Sequence, residues 1–254
     1  MNIIQQWTKS LYSPKDIARF RFQGIGKTIL YVFVLTLLSI IPSSIYNSID
    51  IVKAVNDFDE IIDTTLPSFT IKDHKLSSPV QEPTVYNVNG TYVLFDPTGE
   101  WTADELDKYS NSIGFFSTEI AYHSNNYTQA LQYEMLGDLI LTKETLTEYM
   151  DTFSDILPIL LSLIILASYL FSAGIKFLEI SIFALFGLTL SSMAKKTIEY
   201  RRLWVLSAYS ITLAVTFLMA MDLFKVNVIA PYFVYWFVTL SILYLSLKEI
   251  PVKK

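Results

Sequence analysis

Four stretches of this sequence carry no charged side chain over 19 to 22 residues: 28–46, 156–175, 203–221 and 226–247. At 1.5 Å of rise per residue each is about long enough, as a helix, to cross a hydrocarbon layer of roughly 30 Å. A fifth stretch, 180–194, is uncharged over only 15 residues and spans only if Phe177, Leu178 and Glu179 join the same helix. Between the first stretch and the others lies a polar insert of about a hundred residues. Run lengths of this kind exclude one large soluble domain and predict a membrane all-α helical bundle of about five transmembrane segments with an inserted extracytoplasmic α+β domain. The expected division is a 1–25 amphipathic, interfacial segment, a first transmembrane helix over 26–46, an acidic external domain over 47–152 and a helix cluster over 153–254.

Charge follows the same division. The insert holds eighteen Asp and Glu against five Lys, a net of −13, while the remainder carries +8, so the chain's −5 conceals an acidic domain joined to a basic bundle. An acidic soluble-sized region argues against nucleic acid as a partner. The expected partners are the bilayer and another membrane protein. Cysteine is absent, which removes disulfides and thiolate metal sites. The first apolar run begins near residue 28 at full span length and without a small-residue cleavage site, so it is expected to remain as an anchor.

Before that run, Ile3, Ile4, Trp7 and Leu11 share a helical face. Ser13 before Pro14 reads as an N-cap followed by proline at the first helical position, opening a basic helix suited to an anionic lipid surface. Gly26, Lys27 and Thr28 do not make a phosphate loop, because the glycine required five positions earlier is Arg21. In the insert, Asn89–Gly90 between 84–88 and 91–95 predicts a two-residue hairpin turn. Further strands are expected at 67–72, 113–117 and 129–133. Thr102 with Glu105 predicts a capping box, and Thr142 a cap for a helix that continues into the second span.

Orientation is balanced. With the N-terminus inside and five crossings, seven basic residues face each side; were 156–194 to cross once, twelve would lie inside, but such a helix is about 58 Å long and exceeds the core thickness. The first span favours the N-terminus inside and the insert outside.

Ser10, Tyr12, Ser13 and Pro14 ahead of Gly26, Lys27 and Tyr31, then Phe95, Asp96, Thr98 and Gly99, then Thr142, Lys143 and Leu146, resemble a family of bacterial membrane proteins known as a domain of unknown function. Some of its members are labelled maltodextrin-utilisation proteins. The resemblance implies a multi-pass protein of the bacterial plasma membrane with an external domain, and a link to carbohydrate uptake by resemblance alone; it brings no catalytic residues with it.

Two constellations merit following. Asp96, Thr98 and Gly99 make a candidate turn of the external domain; proline between Asp and Thr, with no second carboxylate loop, argues against an aspartic-protease dyad. Lys176 and Glu179, three apart, are candidate functional membrane charges. Two separate spans would leave the pair in a wet connection, the expected arrangement, whereas one element would carry it to membrane depth. His74 and His123 lack zinc-helix spacing and read as structural or surface residues. No catalytic, cofactor or metal site is expected, and the chain reads as a non-enzymatic accessory, sensor or regulatory component, with a transporter or channel element as the alternative.

Overall fold

The structure, a computed structural model, describes residues 1–251; Lys253 and Lys254, counted among the basic residues above, lie outside the described residues. In chain order the elements are helices α1 (Ile3–Tyr12), α2 (Pro14–Phe20) and α3 (Ile25–Glu60), strands β1 (Thr70–Lys72), β2 (Lys75–Ser77), β3 (Thr84–Val88), β4 (Thr91–Asp96), β5 (Asn111–Phe116), β6 (Glu119–Ser124), β7 (Tyr127–Gln132) and β8 (Leu141–Thr142), then helices α4 (Lys143–Met193), α5 (Tyr200–Ser210), α6 (Thr212–Leu223) and α7 (Pro231–Lys248). They form two compact units, one of Met1–Ser48 with Leu161–Lys254 and one of Ile49–Leu160. These boundaries lie near the expected 47 and 152.

The helical unit is built on α3 to α7. Three helical stretches are long and apolar enough to cross a membrane: Ile25–Thr65, Lys143–Met193 and Tyr200–Leu223. The anticipated count of about five is reduced chiefly because the second and third uncharged runs are one helix, α4. No turn former interrupts 176–179, and Lys176 and Glu179 satisfy each other across one helical turn. The last run forms α7, of 18 residues. Pro231 takes its first position behind Ala230, whose φ of 51° bends the chain into the helix. Pro42 inside α3 is flanked by hydroxyls that bond back to the helix, Ser39 Oγ to Thr36 O at 2.8 Å and Ser43 Oγ to Ile40 O at 3.1 Å. Such bonds are how an apolar helix accommodates a proline.

The amphipathic N-terminal segment packs one face into the helical unit. Asn2 and Gln5 close a reciprocal capping box on α1, but α1 turns Gln6 and Ser10 inward, both fully buried. Trp7 Nε1 donates to Thr216 Oγ1 at 3.0 Å and Tyr209 OH donates to Gln6 Oε1 at 3.3 Å. Ile17, Ala18 and Phe20 of α2 enter the same core as Tyr31, Leu206, Tyr209 and Leu243. Trp7 Nε1 and Gln6 Oε1 thus find partners inside the bundle, while the buried Gln6 Nε2 has none among the described residues. Thr28, in the rejected phosphate-loop stretch, is buried and donates its hydroxyl to Gly24 O.

The inserted unit is α+β. Its main sheet runs β3-β4-β5-β6-β7, antiparallel except for the parallel β4–β5 pair, and a smaller sheet runs β2-β1-β8. Val88 pairs with Thr91 around Asn89 and Gly90, whose φ angles of 52° and 89° are those of the predicted turn. Asp73 and His74, at 51° and 62°, turn β1 into β2 in the same way. The sheet's inner face places Val93, Phe95 and Phe115 against Ile61, Ile62 and Phe69, each large side chain contributing about 1.5–3 kcal/mol by burial. Thr102 precedes a 3-10 helix, Ala103–Lys108, without a side-chain cap. The capping box expected there does not form, because Glu105 N–H bonds the Thr102 carbonyl at 3.0 Å and the Glu105 carboxylate pairs with Lys108; Ala103 N–H donates to Glu119 Oε1 at 3.2 Å. Thr142 does cap α4, accepting from Thr145 N–H at 3.2 Å while Thr145 Oγ1 accepts from Thr142 N–H at 2.8 Å. Lys143 Nζ then reaches back to the carbonyls of Asp63 and Leu66 at the end of the π-helical turn that follows α3.

Candidate functional site

The two candidate membrane charges meet at one point of the helical unit. Lys176 Nζ lies 2.8 Å from Glu179 Oε2, one turn along α4. The same carboxylate oxygen accepts from Tyr235 OH at 2.8 Å, and Lys176 Nζ stands 4.3 Å from the centroid of the Tyr235 ring. Each group therefore contacts both others: ion pair, charge-assisted hydrogen bond and cation–π contact. Side-chain exposure of 21% for Lys176 and 18% for Glu179 leaves the pair open to one side. That side is a cavity of about 280 Å³ lined by Ser39 of α3, Val215 and Asp222 of α6, Asn227 of the following loop, and Tyr235.

Local sequence explains the placement. Lys176 and Glu179 are the only charged residues of α4 between Asp155 and its end, so in the unbroken helix they fall near the middle of its passage through the helical unit, about 22 Å of helix from Leu161 on one side and from Met193 on the other. Tyr235 comes from the first turns of α7, positioned by the Ala230–Pro231 start. The wet interhelical connection expected for this pair is absent, since no connection exists there. Near the same loop, Tyr46 OH donates to Leu223 O at 2.7 Å, and Lys225 Nζ lies 4.3 Å from the centroid of the Tyr46 ring, so the loop after α6 and the end of the first apolar run lie side by side.

Asp96, Thr98 and Gly99 come together at the end of β4. Asp96 is fully buried. Its Oδ1 accepts from Thr98 N–H at 2.8 Å, Thr98 Oγ1 at 2.6 Å and Gly99 N–H at 3.3 Å, and its Oδ2 accepts from Trp101 N–H at 2.6 Å. Gly99 has a φ of 85°, a conformation glycine adopts without cost. Four donors occupy the carboxylate, and the geometry is that of a turn held from within. His123 is buried, its Nδ1 at 2.6 Å from Thr128 Oγ1 and 3.0 Å from Asp107 Oδ1. His74 Nδ1 lies 3.4 Å from Tyr133 O. Among the described residues no group of three His, Asp or Glu is placed to hold a metal ion. Tyr235, which completes the charged cluster, carries no local sequence signal; only the helix pairing brings it to Glu179.

Fold and site define a class: a bundle of long apolar helices with an α+β insertion and a charged cluster on its longest helix. The chain belongs to the family described as protein of unknown function (DUF1189), whose profile matches residues 4–247. No curated protein and no solved structure matches it.

Proposed function

We propose that this protein is a multi-pass membrane protein of the bacterial plasma membrane, its acidic insert outside, and that it serves as a non-enzymatic accessory or sensor component of another membrane assembly. The observation that carries the reading is the unbroken α4. With the surplus length of 156–194 lying outside the hydrocarbon layer so that it crosses once, and α3, α5–α6 and α7, about 27 Å long, crossing once each, Lys9, Lys15, Arg19, Arg21, Lys27, Lys195, Lys196, Arg201, Arg202 and Lys248 share the side of the N-terminus while Lys225 faces the other. That asymmetry accords with the positive-inside preference, and the tie of the five-crossing count disappears. Exposed apolar side chains on α3 and α4, among them Leu37, Ile41, Leu163, Leu170 and Phe171, suit contact with lipid. An accessory role is favoured over catalysis because Asp96 and His123 are engaged in holding strands and turns. Purification from native membrane in mild detergent is expected to recover a stoichiometric partner; repeated recovery of this chain alone contradicts the accessory role.

A second reading, a transporter or channel element, is favoured by the Lys176–Glu179–Tyr235 cluster facing a cavity within the helical unit. Charges at such positions are costly in lipid and are often retained for ion or proton passage. On this reading proteoliposomes of the wild type show an ion or proton flux that Glu179→Gln abolishes; equal flux in the two removes the cluster from any conduction path.

A further inference from the structure

The main sheet of the inserted unit ends in an edge without the usual protection. β7 spans six residues, Tyr127–Gln132, with neither charge nor proline, and pairs only with β6. Natural sheets usually blunt such an edge with lysine, proline or a bulge. In the antiparallel ladder with β6, the backbone N–H and C=O groups of Tyr127, Gln129 and Leu131 are directed to β6, opposite Ser124, Tyr122 and Ile120, and Tyr133 N–H continues the alternation by donating to Thr118 O. The N–H and C=O groups of Thr128, Ala130 and Gln132 therefore point away from the sheet. No strand among the described residues takes them up.

Beside this edge lies an open apolar groove of about 730 Å³, its walls formed by Ala54 and Phe58 of α3 and by Ile120, Tyr122 and Leu131 of the outer two strands. Tyr122 and Leu131 are 47% and 42% exposed. On the opposite face of the sheet the exposed Asp107 accepts from Thr128 Oγ1 of β7 at 2.7 Å, in a unit whose net charge by sequence is strongly negative.

We propose that this edge and groove receive an extended, basic segment of a partner protein, which adds as a further strand to β7. Its alternate apolar side chains enter the groove and its lysines or arginines, on the opposite face of the added strand, lie toward Asp107. Backbone pairing supplies affinity and the groove supplies selection, as in other strand-addition complexes. Charge decides the occupant: a second copy of this insert would bring together two strongly acidic domains, whereas a basic strand meets complementary potential. The proposal rests on the accessory reading above and names where the partner would attach.

The test uses the full chain in lipid nanodiscs and three capped synthetic peptides matched in length to β7. One alternates lysine and valine, one alternates glutamate and valine, and one is the lysine peptide N-methylated on alternate residues so that its paired edge is blocked. The lysine peptide is expected to bind and to slow hydrogen exchange at the amides of Thr128, Ala130 and Gln132, with the other two binding at least about tenfold more weakly. Ala130→Pro, which removes one outward N–H where an edge tolerates proline, and the surface change Asp107→Asn should each weaken the lysine peptide by a similar factor. Absence of binding, equal binding of the glutamate or N-methylated peptide, or protection confined to other strands overturns the proposal. A stoichiometric partner that still co-purifies from native membrane after such a result would leave the accessory role standing and remove only this groove.

Discussion

Asp96 and Asp59 show how differently two carboxylates of one domain can be set. Asp96 is buried with four donors directed at it. Asp96→Ala leaves several of these without a partner and is expected to lower the stability of the inserted unit by about 3 kcal/mol, read by denaturant unfolding followed through the fluorescence of Trp101. Asp59 has the opposite setting. Its Oδ1 is shielded from solvent without a hydrogen-bond partner, and desolvation, then the charges of Asp63 and Asp151, raise its pKa above the ordinary carboxylate value. A carboxyl whose folded pKa is raised favours the folded state while protonated, and that advantage is lost as pH rises from the unfolded-chain value, about 4, through the folded one. Asp59→Asn should therefore stabilise the protein at neutral pH, with the gain shrinking to nothing in acid; a gain independent of pH would show that the charge is not its source. The sequence exposed the Asp96 turn because Asp, Pro, Thr and Gly are what turns use. It gave no sign of Asp59, whose setting comes from α4 bringing Asp151 toward the end of α3, a long-range effect.

At the scale of elements, legibility followed the range of the interaction that decides each one. The β3–β4 hairpin was readable because two residues, Asn89 and Gly90, fix it. Gly90→Val forces a β-branched side chain to a φ of 89° and is expected to cost about 1–2 kcal/mol, measurable by denaturant unfolding, while Gly24→Ala, with open space around it, should change little. The cap of α4 at Thr142 was likewise local. The parallel β4–β5 pair was not readable, since it depends on a crossover through Leu106 and its burial against Leu94 and Phe116. Nor were β6 and the short β2 and β8, whose identity comes from their partners. The 3-10 helix that replaced a capped helix after Thr102 turns Glu105 away from the cap, its N–H going to the Thr102 carbonyl and its carboxylate to Lys108. In α4 the charges of Lys176 and Glu179 looked like the edge of a span. Their mutual neutralisation and Tyr235 allow the helix to continue, and that single continuity changes how the whole chain is threaded.

For the whole molecule, the uneven distribution of charge carried more information than any motif. Eighteen acidic residues in the insert and a basic surplus elsewhere marked two environments before any fold was known. What the sequence could not decide was the number of crossings, because apolar run length alone treats every charged interruption as a boundary. The single-passage proposal puts the basic stretch 195–202 across the membrane from the insert, whereas two separate spans over the same residues put both on one side. Single cysteines placed in this cysteine-free chain at Asn126, in the β6–β7 turn, and at Lys196, just beyond α4, distinguish the two arrangements directly when intact cells are treated with an impermeant maleimide. Single passage predicts labelling at Asn126 from outside and at Lys196 only after permeabilisation. Labelling of both positions from outside would contradict it.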